Sequence, residues 1–339
     1  MGEAGPRHGG DLDGAIARYG GRPEDWLDLS TGINPLPPIL PAIPQSAWAR
    51  LPDRHLERTA RTAAARFYGA AEGTLPLAVP GVQAIIRELP FLMKGGERAA
   101  ILSPTYGEYS AVLERHGFAV DAITTLDAVD ERHGLVVVVN PNNPDGRVTP
   151  RGELLSLNER LSARNATLVV DEAFADADPA ESLANDAGQR AGLVVLRSFG
   201  KMFGLAGIRL GFVLARDDTL DRLRERIGPW AVSGPALALA SAILGDDTTL
   251  AELRETIRAR HIATADILAE AGLAVEGKTA LFFLVDHLHA GALHDHLARR
   301  HILTRPFDYA PRWLRFGLLA DRADEARLAD ALRAFGKPR

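Results

Sequence analysis

Four short apolar runs recur along the middle of the chain: AAIL (99–102), LVVVV (135–139), TLVVD (167–171) and LVVLR (193–197). None alternates apolar with polar residues, so each suits a strand covered on both faces. Helical text lies between them, including 105–117 and 150–165. Strands alternating with helices predict a mostly parallel α/β sheet. Before these runs, LERTARTAAARFY (56–68) reads as a helix, and Gly81 precedes a second helical stretch, VQAIIRELPFLM. After them come another strand and helices over 212–245, then a long helix from Thr249 to Ala271. The tail reads strand (LFFLV, 281–285), helix (290–300), strand (WLRFGL, 313–318) and helix (DEARLADALRAF). The first fifty residues, with STGINPLPPILPAIP, read as an irregular extended arm. This order predicts a large domain over 50–245, with 1–49 and 246–339 forming the arm and a small α+β domain.

Composition narrows the function classes. The chain has 339 residues, is 46% hydrophobic and 24% charged, and carries a net charge of −5. That balance gives no general reason to bind nucleic acid. No run of about 18 apolar residues occurs, so no spanning helix is expected. The opening MGEAGPRHGGDLDG lacks the basic-then-apolar pattern of a signal peptide. A soluble cytoplasmic protein without a membrane partner is therefore expected. The absence of cysteine removes disulfides, thiolate chemistry and cysteine-bound metals together.

In an open parallel sheet, ligands bind beyond the carboxyl ends of the strands. Asn140 to Gly146 follows LVVVV, Asp171 ends TLVVD, and Ser198 to Lys201 follows LVVLR. Only Lys94, Lys201, Lys278 and Lys337 are lysines, against 35 arginines. Arginine does not lose its proton in proteins, whereas a desolvated lysine does and then bonds carbonyl carbons, including that of pyridoxal phosphate. A carboxylate ending a buried strand, as Asp171 does, needs a partner. In a pyridoxal site that partner is the ring nitrogen. VVDEA also resembles the acidic strand end of nucleotide hydrolases, but neither G-x-x-x-x-G-K-[ST] nor G-x-G-x-x-G is present. Gly81, Val82 and Gln83 open a helix where backbone N–H groups can meet an anion, and Ser198 and Arg209 can donate to the same phosphate.

Six pieces stand in register: GVQ (81–83), SPTYGEY (103–109), NPNNPDG (140–146), VVDEAF (169–174), SFGKMFGLAGIRLGF (198–212) and LRFGL (314–318). On them the chain resembles, over essentially its full length, the fold-type-I pyridoxal phosphate enzymes of the aspartate aminotransferase superfamily. The resemblance implies a mostly parallel seven-stranded sheet flanked by helices, a small α+β domain and a homodimer. It makes Lys201 the cofactor lysine, Asp171 the partner of the ring nitrogen, Asn143 the donor to the phenolic oxygen and Tyr106 the ring-stacking residue. Gly81, Val82, Gln83, Ser198 and Arg209 would hold the phosphate, and Arg315 would meet the substrate carboxylate. Two positions depart from the common pattern. Phe174 and Leu51 stand where many relatives have tyrosines, one bonding the phenolic oxygen and one reaching the neighbouring subunit's cofactor.

HGGDLDGAIARYG, LDLSTGINPLPP, the phenylalanine of DEAF, and HILTR followed ten residues later by Arg315 resemble a subfamily that decarboxylates O-phosphothreonine in cobalamin biosynthesis. There His8 and Arg305 would bind the substrate's phosphate, with Asn34 a further candidate. The close alternative is an aminotransferase acting on a phosphorylated amine such as histidinol phosphate. A non-catalytic sensor on the same fold is disfavoured, because no helix-turn-helix text precedes the fold and Lys201 and Asp171 are intact. His287, His289, His294, His296 and His301 crowd together with Asp286 and Asp295. His294 and His296 are two apart on a predicted helix and face different ways, so a solvated face is expected and no metal.

Overall fold

The apolar runs have no face to give to water, and the computed structural model, which describes residues 9–93 and 96–336, places them inside a seven-stranded sheet. Across the sheet the strands run Leu77–Val79, Gly211–Leu214, Leu193–Ser198, Thr167–Asp171, His133–Val139, Arg98–Leu102 and Ala119–Ile123. Gly211–Leu214 is antiparallel to both its neighbours; the other pairings are parallel. Every residue of His133–Val139 and Thr167–Asp171 is buried. The register sets Val139 against Asp171 and Asp171 against Leu196, so the ends of three adjacent strands lie at one edge.

Two compact units make up the chain. The larger spans 38–143 and 147–252; the smaller comprises residues up to 37, 144–146 and from 253. In the larger unit, helix Arg54–Tyr68 begins where the Asp53 side chain accepts from the Leu56 N–H and ends at left-handed Gly69. Its buried face, Ala60, Ala64 and Tyr68, repeats every four residues and packs on helix Gly234–Leu244. The helix after Gly81 is shorter than its apolar text suggests. It covers Val82–Ile86, and a 3-10 turn follows over Leu89–Leu92. Pro90 lacks the N–H that a continuing helix needs.

The smaller unit holds a four-stranded antiparallel sheet in the order Arg305–Pro306, Trp313–Gly317, Phe282–Asp286, Ala274–Thr279. Helices Ala290–Ala298 and Arg322–Phe335 pack on one another, and Leu27–Asp28 pairs in parallel with Ile302–Leu303. The opening arm is less irregular than its prolines and glycines suggest. Leu12–Tyr19 is a helix capped by Asp11, whose side chain accepts from the Gly14 N–H. It packs Leu12, Ala15, Ile16 and Tyr19 against Trp26, Ala298 and Leu303, and that apolar spacing outweighs the surrounding glycines. Among the described residues no helix is long and apolar enough to cross a membrane.

Candidate active site

Asp171 is the last residue of its strand, and it is buried. One carboxylate oxygen accepts from the Ala173 N–H at 3.0 Å and the other from the Tyr109 hydroxyl at 2.5 Å. Burial pushes the carboxyl up, against Tyr109, the Ala173 amide and the Lys201 charge, which all favour the carboxylate. Lys201 follows the neighbouring strand; it is half-buried, and its Nζ lies 5.4 Å from the centre of the buried Phe174 ring. The larger unit thus brings a primary amine and a carboxylate together at the carboxyl edge of the sheet.

The next side chains along the two strands point the other way. Glu172 and Arg197 pair behind the sheet, and Arg197 also meets Asp176 at 2.7 Å; all three are buried. Glu172 further accepts from Ser182 and from the Leu183 N–H, and the Arg197 guanidinium lies 4.6 Å from the Tyr68 ring centre. Burial opposes the Arg197 charge, but the Asp176 and Glu172 carboxylates outweigh it and hold its pKa above the ordinary arginine value. The side chains flanking Asp171 and Ser198 are thereby locked from the far face.

Gly81 has φ +78°, and a Cβ there would stand 2.9 Å from Nη2 of Arg209. Only glycine lets that guanidinium approach the turn so closely. Arg209 is itself left-handed, at φ 54°, and its Nη1 donates to the Ala206 carbonyl at 3.0 Å. A Cβ on Gly211 would stand 3.1 Å from the Val82 nitrogen, so Gly81–Val82, Arg209 and the start of the antiparallel strand form one cradle. Ser198 sits opposite Gly211 in the register. Gln83 donates to Glu108 at 2.9 Å and accepts from the Tyr106 hydroxyl at 3.3 Å, which links the Gly81 turn to the aromatic segment. Asn143 is half-buried at the end of a loop braced by its neighbours. Asn140 exchanges two hydrogen bonds with the Thr149 backbone, and Asn142 donates to the Pro104 carbonyl and accepts from Thr105.

In the smaller unit, Arg315 is buried on the central strand, and its Nη2 donates to the Ser30 carbonyl at 2.7 Å. Burial first, then the Arg305 charge, pull it down to about 10, still protonated at neutral pH. Arg305 and Arg315 are cross-strand partners. Like charges placed so oppose one another unless an anion joins them. Arg305 also lines a cleft of about 340 Å³ with Gly10, Arg18, Ser30, His294 and Thr304. Asn34 is buried and exchanges hydrogen bonds with the Leu36 backbone. His8 lies outside the described residues. The residue after it, Gly9, packs so close to the Ser30 carbonyl that a Cβ would stand 2.4 Å from its oxygen.

The histidine-rich segment divides rather than converges. His294 meets the Thr304 hydroxyl, His296 the Ala331 carbonyl, and His301 lies against Trp26. Of the five, only His289 is exposed and the others are half-buried, so the solvated-face expectation is corrected: Thr304, Phe335 of the last helix and Trp26 cover them.

One side chain in the larger unit and one backbone carbonyl in the smaller unit carry weight that the pattern did not reveal. Tyr109, on the buried face of helix Glu108–Arg115, reads as core although it closes SPTYGEY, and the Ser30 backbone carbonyl accepts from Arg315 although nothing in the sequence assigned Ser30 a role.

The larger unit's polar groups match the three ends of a phosphorylated pyridine aldehyde. Asp171 suits a ring N–H, Lys201 a carbonyl carbon, and the glycine cradle with Arg209 and Ser198 a phosphate. Comparisons with known proteins agree. A family model described as "Aminotransferase class I and II" matches residues 24–334. A threonine-phosphate decarboxylase of Sinorhizobium sp is 53% identical over 325 residues, 96% of this chain and 97% of that protein. One from Pseudomonas aeruginosa is 46% identical, covering 98% of each. The crystal structure of histidinol-phosphate aminotransferase from Sinorhizobium meliloti, in complex with pyridoxal-5'-phosphate, superposes with a TM-score of 0.79 at 21% identity. It covers 99% of this chain and 96% of that one.

Proposed function

Because the chain belongs to the aminotransferase class I and II family, we propose that it is a pyridoxal phosphate enzyme that decarboxylates L-threonine O-3-phosphate. The product is (R)-1-aminopropan-2-ol phosphate, which places the reaction in cobalamin biosynthesis. The observation that carries this reading is the cross-strand pair Arg305 and Arg315. Two guanidiniums from facing positions suit a substrate with two anionic ends, a phosphate and a carboxylate. The near full-length likeness to two threonine-phosphate decarboxylases supports it.

Bound pyridoxal phosphate supplies an electron-accepting ring for the pair left when the Cα–carboxylate bond breaks. The chain's residues do the rest. Gly81, Val82, Gln83, Ser198 and Arg209 would hold the phosphate, Tyr106 and Asn143 would orient the ring, and Asp171 would keep a proton on the ring nitrogen. Lys201 would hold the cofactor's carbonyl carbon, and its Nζ would be the group that returns a proton to Cα of the substrate. Arg315 orients the carboxylate. A tight ion pair to a leaving carboxylate stabilises the ground state, so it contributes by aligning the bond rather than by strength of binding.

Carbon dioxide release from O-phosphothreonine, with and without a keto acid, tests the reaction. Release without the keto acid is expected. Amino transfer to the keto acid with no carbon dioxide overturns decarboxylation in favour of a transaminase. Arg305→Ala is expected to raise KM for the phosphorylated substrate by about tenfold or more, with pyridoxal phosphate affinity unchanged. An equal loss of both removes Arg305 from substrate binding.

The active form is a cytoplasmic homodimer in this reading. Ile39, Leu40, Trp48, Leu51 and Trp230 of the larger unit are exposed and apolar, a surface suited to a second copy. Sedimentation is expected to give twice the chain mass at micromolar concentration; a single species of monomer mass overturns the dimer.

A further inference from the structure

We infer that Tyr109 is a positioning residue for the cofactor: its hydroxyl orients the Asp171 carboxylate and keeps it in the charged form that holds the ring nitrogen. The inference rests on the pyridoxal phosphate reading and on a contact within the larger unit. Tyr109 is fully buried and donates to Oδ2 of Asp171 at 2.5 Å, while Oδ1 accepts from the Ala173 N–H. Each carboxylate oxygen has a second lone pair, so both donors can be satisfied while an oxygen still accepts from a ring N–H. A buried carboxylate without donors takes up a proton, and a neutral carboxyl no longer stabilises a cationic ring. Tyr109 is suited to prevent this. Burial, then the Asp171 charge, push its hydroxyl well above the usual tyrosine range, so it remains a donor throughout the neutral range.

The same segment serves the ring twice. Tyr106 and Tyr109 are three residues apart around the start of helix Glu108–Arg115, and their rings meet edge to face, 6.2 Å apart at 84°. Tyr106 is the ring-stacking candidate. Movement of this turn therefore shifts the stacking residue and the Asp171 donor together.

A double-mutant cycle on cofactor binding separates this role from packing, because Tyr109→Phe keeps the buried ring. Apoproteins of the wild type, Tyr109→Phe, Asp171→Asn and the double variant are titrated with pyridoxal phosphate. Tyr109→Phe is expected to weaken Kd by about 10- to 100-fold, the range for a hydrogen bond to a charged group. Asp171→Asn is expected to weaken it at least as much, and the double variant by no more than about twofold further, since Tyr109 acts through Asp171. Tyr109→His restores an N–H donor and is expected to recover part of the loss. Wild-type affinity in Tyr109→Phe, or losses that multiply in the double variant, would overturn the inference. Wild-type affinity in Asp171→Asn overturns the cofactor reading beneath it, a distinguishable result.

Discussion

Lys201→Ala is expected to lower kcat/KM by at least about 10³-fold and to abolish the borohydride-trapped adduct between protein and pyridoxal phosphate. Lys201→Arg is expected to be as inactive, because arginine keeps a charge at that place but does not give up a proton to become a nucleophile. Lys201 is half-buried, with the Phe174 ring 5.4 Å from its Nζ, and one charged neighbour is the buried Asp171. Mass spectrometry of borohydride-treated holoenzyme, beside steady-state rates, decides the matter. An adduct surviving in Lys201→Ala would take this lysine out of the site, and a chain that writes arginine 35 times would have kept it for another reason.

The second large effect concerns stability. Arg197→Met is expected to destabilise the protein by about 3–5 kcal/mol, because it strands two buried carboxylates, Glu172 and Asp176, without a cation. Glu172→Gln leaves one carboxylate against the guanidinium and keeps a partner for Ser182 and the Leu183 amide, so a smaller loss is expected. Urea unfolding of the three proteins checks the order. A loss below about 1 kcal/mol in Arg197→Met would show that the carboxylates are neutral or reach water, and the far-face lock would be withdrawn. Since Glu172 follows Asp171 and Arg197 precedes Ser198, reduced cofactor affinity in Arg197→Met is expected beside the loss of stability.

Much of the larger unit was legible because its strands have no polar face. TLVVD predicts a buried strand over 167–171, and the strand occupies Thr167–Asp171; LVVLR ends one residue short of the observed Ser198. Legibility fell where local and global preferences diverge. The prolines and glycines of the first fifty residues hid helix Leu12–Tyr19, although Asp11 and the apolar spacing were present. VQAIIRELPFLM looked like one helix until Pro90 divided it. The edge strand Ala274–Thr279 was missed because most of its residues are exposed and two glycine or lysine positions weaken its pattern.

By itself, the sequence determined which residues can do chemistry and at which strand ends they stand. Amine, carboxylate and guanidinium have distinct reactivities, and continuous apolar runs locate strand ends without reference to distant neighbours. Only the tertiary structure decided what those groups answer to. Tyr109 and Asp171 stand 62 residues apart, and Arg305 faces Arg315 only through a strand register. Such pairings depend on how separate elements pack, and no local periodicity encodes that distance.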